Sequence, residues 1–261
     1  MRRLAADDEP FLIVRSLAAS HGSGHVIDFH VHPWHQLLYA CSGAMTVFAG
    51  QPTRQASWMI PPGKAVVIPA RCPHSIRMWG MVAMRSLYIL PTLEAPAFQS
   101  AECRVISVTP LLRELILRVV ELSALDSRLP NSKHLLNTLL DELESAPVQP
   151  LLLPLPADSR ALAVAKQVLN DPARSERLNA LSRQNGASRR TIERLFRDET
   201  GMSFGMWRQK ARLLESIRLL AEGRSVTDSA LDSGYSSISA FIAAFKRTFG
   251  FTPRTMLRQD S

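Results

Sequence analysis

The sequence predicts an α+β protein of two domains, an N-terminal β-barrel with Leu-rich helices and a C-terminal all-α domain with two helix-turn-helix units. Three observations predict this fold. Short apolar runs at roughly ten-residue spacing fill residues 10–90. A Pro-rich segment then interrupts the chain at residues 147–157. Beyond it, one helix–glycine–helix pattern occurs twice, about 49 residues apart.

Residues 1–105 are expected to form the barrel. Their apolar runs are rich in β-branched and aromatic residues and are separated by Gly, Pro and Ser, which is typical of short strands. The predicted strands are residues 11–14, 26–29, 36–40, 45–48, 65–68 and 85–90.

Residues 106–146 change from strand to helical periodicity. One helix is expected to begin at Pro110, a residue that suits a first helical turn. A second helix is expected to run from Leu135 to Leu143. The apolar faces of these helices have two possible partners, the barrel of the same chain or a second copy in a homodimer, and the sequence leaves both open.

Length and composition restrict the function classes. A chain of 261 residues can bury two cores, and no apolar run approaches the roughly 20 residues that span a bilayer. Residues 1–10, MRRLAADDEP, lack the apolar segment of a secretory signal, so a cytoplasmic protein with no membrane partner is expected. The three cysteines, Cys41, Cys72 and Cys103, form no CxxC motif and are expected to be reduced.

The basic excess lies almost entirely in one half of the chain. Residues 1–157 carry 13 basic and 12 acidic side chains, whereas residues 158–261 carry 18 and 11. A net charge of this size increases affinity for a polyanion. Because the charge coincides with the repeat, the residues from 158 onward are expected to bind DNA. The helices predicted there are residues 158–170, 175–184, 188–199, 203–222, 226–233, 237–248 and 253–258.

The second helix of the first copy has an apolar face and a charged face. Ile192, Leu195 and Phe196 lie on one side. The opposite side carries Arg190, Glu193, Arg194 and Arg197 at helical spacing. Arg forms two hydrogen bonds with guanine and Glu accepts from cytosine, so this face suits the major groove. The alternative is a solvated face held by Glu–Arg ion pairs.

The second copy has a different exposed face. With Phe241, Ala244 and Phe245 buried, the face toward DNA presents Ile238, Ser239, Ile242 and Ala243, followed by Lys246 and Arg247. Such residues contact thymine methyl groups and phosphates rather than forming paired hydrogen bonds with bases. The alternative is that Ile238 and Ile242 are buried elsewhere in the protein.

Residues 160–258 resemble the AraC/XylS family of transcriptional regulators. The resemblance rests on Leu181, residues 186–188, 195–197, 199–201, 212–214 and 230–235, Phe241, Phe245, Lys246 and residues 250–253. It implies promoter DNA and RNA polymerase as partners. The DNA-binding residues expected are Arg189, Arg190, Glu193, Arg194 and Arg197 in the first unit, and Ser237, Ile238, Ser239, Ile242, Ala243, Lys246 and Arg247 in the second. Polar or Arg side chains are frequent at these second-unit positions in the family, and this chain departs from that pattern.

The N-terminal histidines resemble the two motifs of the cupin barrel, in which HxH, a Glu and a later His hold a metal. Here His30, His32 and His74 are present, but Gln36 replaces the Glu. The barrel is therefore expected to be a cupin-like sensor without a cofactor. The expected pocket for a small-molecule effector comprises His30, His32, Gln36, Trp58 and His74. Metal binding by the three histidines, as in a metal-dependent cupin enzyme with an appended DNA-binding domain, is the alternative.

Overall fold

The computed structural model describes residues 11–51, 54–93, 96–100, 102–173 and 176–258. The expectation about a secretory signal concerns residues 1–10, which lie outside these ranges. Ten strands in the described part form one antiparallel sheet. They are β1 (Leu12–His21), β2 (Val26–His30), β3 (His35–Gln51), β4 (Arg54–Ile60), β5 (Lys64–Ile68), β6 (His74–Ile89), β7 (Arg104–Ser107), β8 (Ala124–Asp126), β9 (Val148–Gln149) and β10 (Leu152–Pro154).

Strands β3 and β6 form the centre of this sheet. They pair from His35↔Ile89 to Ala49↔His74, with register shifts between Ala40 and Ala44. The sequence predicted two separate strands, 36–40 and 45–48, and the structure joins them in β3. Gly43 lies at the irregularity with a φ of 66°, a conformation that glycine adopts readily, so the strand changes direction without leaving the sheet.

Two helices pack on this sheet within the same chain. They are α1 (Pro110–Leu122) and α2 (Pro130–Ser145), and β8 between them pairs with β1. Their inner faces are buried in one cluster with barrel residues such as Leu37. Intrachain packing of these faces is thus confirmed, whereas a homodimer stays a prediction. Leu111 and Leu122 of α1 remain exposed.

The Pro-rich segment is extended, as the sequence predicted, but it also belongs to the sheet. Within it, β9 pairs with β7 and β10 pairs with β4. Strand β10 ends at Pro154, which has no backbone N–H to donate but is accepted in an edge strand.

The C-terminal half is helical. Its helices are α3 (Ser159–Asn170), α4 (Leu178–Gln184), α5 (Arg189–Thr200), α6 (Phe204–Ala221), α7 (Val226–Asp232), α8 (Ile238–Phe249) and α9 (Pro253–Arg258). Phe196, Trp207, Phe241 and Phe245 are fully buried in its core. The predicted α+β architecture is confirmed. Among the described residues, no helix has both the length and the apolarity that crossing a membrane requires.

The C-terminal end of α6 contacts the barrel. Two guanidinium groups contact the Trp79 ring of β6, those of Arg77 at 4.7 Å and Arg218 at 4.9 Å from its centroid. Ser23 Oγ donates a hydrogen bond to Glu222 at 3.1 Å. Next to Trp79, Gly80 approaches α6 so closely that a Cβ atom there would lie 2.2 Å from the carbonyl oxygen of Ala221. The helix that joins the two helix-turn-helix units is therefore held against the barrel.

Candidate DNA interface and sensor site

The first helix-turn-helix unit consists of α4, a short turn and α5. Gly186 forms the turn with a φ of 67°. Ser188 then caps α5, because its hydroxyl oxygen accepts the Thr191 N–H at 3.1 Å. On the inner side of α5, the Phe196 ring lies 5.1 Å from both the Phe204 and the Trp207 ring. This packing fixes which side of α5 faces solvent.

The outer side of α5 carries the five residues predicted for the first unit. Arg189 pairs with Glu193 at 2.8 Å, and Arg194 pairs with Asp198 at 3.2 Å. Exposed ion pairs of this kind contribute about 0–1 kcal/mol, so a phosphate or a guanine can replace the carboxylate at little cost. Arg190 and Arg197 are exposed as well. The ion pairs predicted by the alternative interpretation are present, and they are compatible with DNA binding.

A basic groove beside α5 adds two residues that the sequence analysis missed. The groove has a volume of about 660 Å³, and four arginines line it together with Glu193. They are Arg177, Arg189, Arg197 and Arg208. Arg177 immediately precedes α4 and Arg208 lies on α6, so no spacing within one helix connects them with α5. The fold alone brings these four guanidinium groups together.

The second unit consists of α7, a turn at Gly234 and α8. Phe241, Ala244 and Phe245 are buried as predicted. Ile238 and Ile242 are 39% and 37% exposed, so the alternative that they are buried elsewhere is wrong. The other predicted residues of this unit, Ser237, Ser239, Ala243, Lys246 and Arg247, are exposed too. The exposed face of α8 is therefore apolar and small, with positive charge at its C-terminal end.

Three imidazoles of the barrel meet, and His74 is the fully buried one among them. His30 of β2 is paired with His74 of β6, and His32 follows two residues later. The ring centroids of His30 and His32 lie 4.3 Å and 5.2 Å from that of His74. One nitrogen from each ring lies within 4.8 Å of the others. We call this group the imidazole cluster.

Hydrogen bonds determine which nitrogen of each imidazole carries the proton. The Nδ1 atoms of His30, His32 and His74 lie 2.8, 2.8 and 2.9 Å from the carbonyl oxygens of Asp28, Trp34 and Cys72. A carbonyl oxygen only accepts, so each Nδ1 is the donor in these contacts. His74 Nε2 is buried without a hydrogen-bond partner. Metal-binding histidines have this arrangement, in which one nitrogen is held by a backbone carbonyl and the other is free to coordinate.

Burial favours the neutral form of His32 and His74. It lowers the pKa of His74 to about 4, and it also lowers the pKa of His32. Gln36 contacts His32 Nε2 at 3.1 Å and the Ser86 hydroxyl at 2.6 Å. The amide oxygen of Gln36 is the atom that faces His32 Nε2, and the amide NH₂ donates to the Ser86 hydroxyl. Neutral imidazoles are the form that binds metals, so these residues fit a divalent transition metal.

Trp58 lies apart from the other predicted pocket residues. The structure brings His30, His32, Gln36 and His74 together, whereas Trp58 lines a cavity of about 840 Å³ between the barrel and the C-terminal half. We call it the interdomain cavity. Two cysteines, Cys72 and Cys103, also line it, and their Sγ atoms are 3.9 Å apart. The contact between the two sulfurs lowers the pKa of Cys72 to about 7 and raises the pKa of Cys103.

Comparisons with protein families match both halves of the chain. A family described as the AraC-like ligand binding domain matches residues 13–140, and a helix-turn-helix domain family matches residues 181–259. The chain is 32% identical to the HTH-type transcriptional regulator NimR of Escherichia coli K12 over 224 residues, 86% of this chain and 80% of that protein. It is 37% identical to the regulator RipA of Corynebacterium glutamicum over 102 residues, 39% of this chain and 31% of that protein.

Among solved structures, ToxT from Vibrio cholerae is similar over 95% of this chain and 98% of its own, with 13% identity and a TM-score of 0.40. The DNA-binding domain of AdpA, solved in complex with a target DNA, is similar over 38% of this chain and 90% of its own, with 28% identity and a TM-score of 0.36.

Proposed function

Since the chain belongs to the AraC family of transcriptional regulators, we propose that it binds promoter DNA through α5 and α8 with unequal contributions to base recognition. Helix α5 would supply most of the hydrogen-bonded base contacts. Helix α8 would contribute apolar contacts and phosphate binding. The proposal rests on the difference between the two exposed helix faces, one rich in arginine and the other formed by Ile, Ser and Ala.

The length of α6 supports binding by both units to one side of the duplex. This helix has 18 residues, which at 1.5 Å per residue span about 27 Å. Successive major-groove faces of B-DNA lie roughly 34 Å apart. One chain therefore has the reach to place α5 and α8 in neighbouring major-groove segments. Arg177 and Arg208 in the basic groove are proposed phosphate contacts.

The variant Arg194→Ala tests the role of α5. We expect a loss of about 1–3 kcal/mol at the specific site and relaxed preference for one base pair there, measured by titration of labelled duplexes at fixed salt. Arg118→Ala is the matched control, because Arg118 is an equally exposed helical arginine paired with Glu121 at 3.0 Å, but on the barrel side. Equal weakening on every sequence would make Arg194 a phosphate contact instead. A protein without a tenfold preference for any promoter would be a nonspecific binder.

For the barrel, we propose that the sensor ligand includes a divalent transition metal held by the imidazole cluster. The buried, unpartnered Nε2 of His74 carries this proposal. Three imidazole ligands suit Zn²⁺, Ni²⁺ or Fe²⁺, and Gln36 supplies no negative charge, so a bound ion would keep its full charge toward further ligands. An ion that binds one arrangement of the two halves more tightly would shift the population toward it.

Metal analysis of the purified protein tests this part. We expect about one ion per chain in the wild type and its loss in His30→Ala and His74→Ala. His134→Ala is the control, since His134 is exposed on α2 and outside the cluster. Metal-free wild-type protein after reconstitution with Zn²⁺ or Ni²⁺ would contradict the proposal. The alternative, a metal-dependent enzyme, requires turnover by the loaded protein, whereas a sensor requires only a change of DNA affinity on loading.

A further inference from the structure

A pair of thiols lies in the wall of the interdomain cavity. Cys72 and Cys103 are 31 residues apart in sequence, yet their Sγ atoms are separated by 3.9 Å. Cys103 is 7% exposed and Cys72 is half-buried. Both cysteines line the cavity, and Cys72 is the more exposed of the two.

The opposite wall of this cavity belongs to the DNA-binding half. Residues 198–202, which include the C-terminal end of α5 and its Gly201 cap, line the cavity together with Lys210 of α6. A change in the thiol pair thus takes place at the surface that faces the end of the first recognition helix.

The loop that carries Cys72 also connects the cavity with the imidazole cluster. Arg71 has a φ of 60°, which is uncommon for a side chain larger than Gly, and its N–H donates to the His32 carbonyl at 2.9 Å. The Cys72 carbonyl accepts from His74 Nδ1 at 2.9 Å. A disulfide needs an S–S distance of about 2.05 Å, so the two sulfurs must approach by about 2 Å. Movement of Cys72 by that amount would disturb the two hydrogen bonds that connect this loop with His32 and His74.

We propose that Cys72 and Cys103 form a modification site, which a peroxide converts into an intrachain disulfide. The Cys72 sulfur attacks the peroxide, so that an S–O bond forms, the O–O bond breaks, and the leaving hydroxide takes up the Cys72 proton as water. The Cys103 sulfur then attacks the Cys72 sulfur, which forms the S–S bond and breaks the S–O bond. Water leaves after taking up the Cys103 proton. Two electrons pass from the thiols to the peroxide, and a reducing thiol reverses the change.

The disulfide alters DNA affinity, because it changes the shape of a cavity that residues 198–202 also line. This consequence rests on the proposed function, whereas the formation of the disulfide does not. We expect the dissociation constant for the promoter site to change by at least about fivefold, the lower end of typical coupling between sites.

The experiment compares the full-length wild type with Cys72→Ser, Cys103→Ser and Cys41→Ser. Cys41 is half-buried like Cys72 but lies on β3, near Arg85 and Arg113 and away from the cavity. Each reduced protein is titrated with hydrogen peroxide. Mass spectrometry of the intact chain and of its peptides then locates any bond, and DNA affinity is measured before oxidation, after oxidation and after reduction with dithiothreitol.

We expect the wild type and Cys41→Ser to lose two hydrogen atoms in a Cys72–Cys103 bond, to change DNA affinity and to recover on reduction. Cys72→Ser and Cys103→Ser should keep their DNA affinity under peroxide. A bond that involves Cys41, a bond between chains, or oxidation of Cys72 without a bond to Cys103 would overturn the assignment. A correct disulfide with unchanged DNA affinity would overturn its regulatory part. Reduced wild type that binds no DNA would instead refute the proposed function and leave the mapped bond as evidence for the site.

Discussion

The contact between Gly80 and α6 yields the sharpest prediction about how the two halves are held together. The variant Gly80→Ala places a Cβ atom 2.2 Å from the Ala221 carbonyl oxygen, a backbone atom that cannot rotate away. Carbon and oxygen atoms in contact need about 3.3 Å, so β6 and the end of α6 must move apart by about 1 Å. Gly80 also has a φ of 71°, which is unfavourable for alanine.

The structure gives the size of the effect. The backbone conformation alone costs alanine roughly 1–2 kcal/mol. Separation of the strand from the helix also weakens the contact of Arg218 with the Trp79 ring, worth about 0.5–2 kcal/mol, and the hydrogen bond from Ser23 to Glu222, worth about 1 kcal/mol. We therefore expect Gly80→Ala to lower the free energy of unfolding by about 2–4 kcal/mol.

A variant at a second glycine separates the cost of the backbone conformation from the cost of the steric clash. Gly24 has a φ of 83°, but no atom lies within 4 Å of a Cβ atom placed there. Gly24→Ala should therefore cost only the conformational part, roughly 1–2 kcal/mol. Denaturant unfolding followed by circular dichroism measures both variants, and limited proteolysis near residue 157 reports whether the halves separate. Equal destabilisation by Gly80→Ala and Gly24→Ala would refute the argument that this contact joins the barrel to α6.

Three further predictions concern the core, the imidazole cluster and the basic groove. Phe196→Ala should destabilise the C-terminal half by about 3–5 kcal/mol in denaturant unfolding, whereas Leu231→Ala at an exposed site should change it by less than about 0.5 kcal/mol. The ordinary pKa of His74 is 6.5 and the folded protein lowers it to about 4, so the unfolded chain binds more protons between these values. Metal-free protein should therefore lose stability as the pH falls from about 6.5 to 4, by up to about 3 kcal/mol, and this loss should be smaller in His74→Asn. Arg177→Ala should weaken binding to all duplexes alike and reduce the slope of log affinity against log salt by about 1.

The sequence predicted the C-terminal half closely because its signals are local. Apolar residues at helical spacing, capping residues such as Ser188 and glycines such as Gly186 each specify one helix or one turn. The predicted exposed faces of both recognition helices agree with the structure. In the barrel, the predicted strands all coincide with observed ones, but β4 and β7 were missed. Strand lengths were also too short, in β3 because residues 40–44 continue the strand through a bulge that the turn-like sequence conceals.

The sequence could not predict the contacts between segments that are distant along the chain. Nothing in the spacing of Cys72 and Cys103 predicts that their sulfurs meet. The pairing of β5 with β7 brings together the segment after β5, which carries Cys72, and the start of β7, which Cys103 precedes. The same holds for Arg177 and Arg208, and for the collision that makes Gly80 necessary. Trp58 was grouped with the histidines on residue type, whereas the fold places it in the interdomain cavity. The backbone carbonyls that orient the three imidazoles likewise reach them only once the loops have folded.

The central claim, that the two helix-turn-helix units read DNA unequally, is tested most directly by affinities for a systematically mutated operator. After genome-wide mapping has identified a bound promoter site, each base pair in the two half-sites is replaced and the dissociation constant is measured at one salt concentration. We expect substitutions under α5 to cost about 1–3 kcal/mol each, and substitutions under α8 to cost clearly less, apart from positions where a thymine methyl group is lost. Equal costs in both half-sites, or larger costs under α8, would contradict the account.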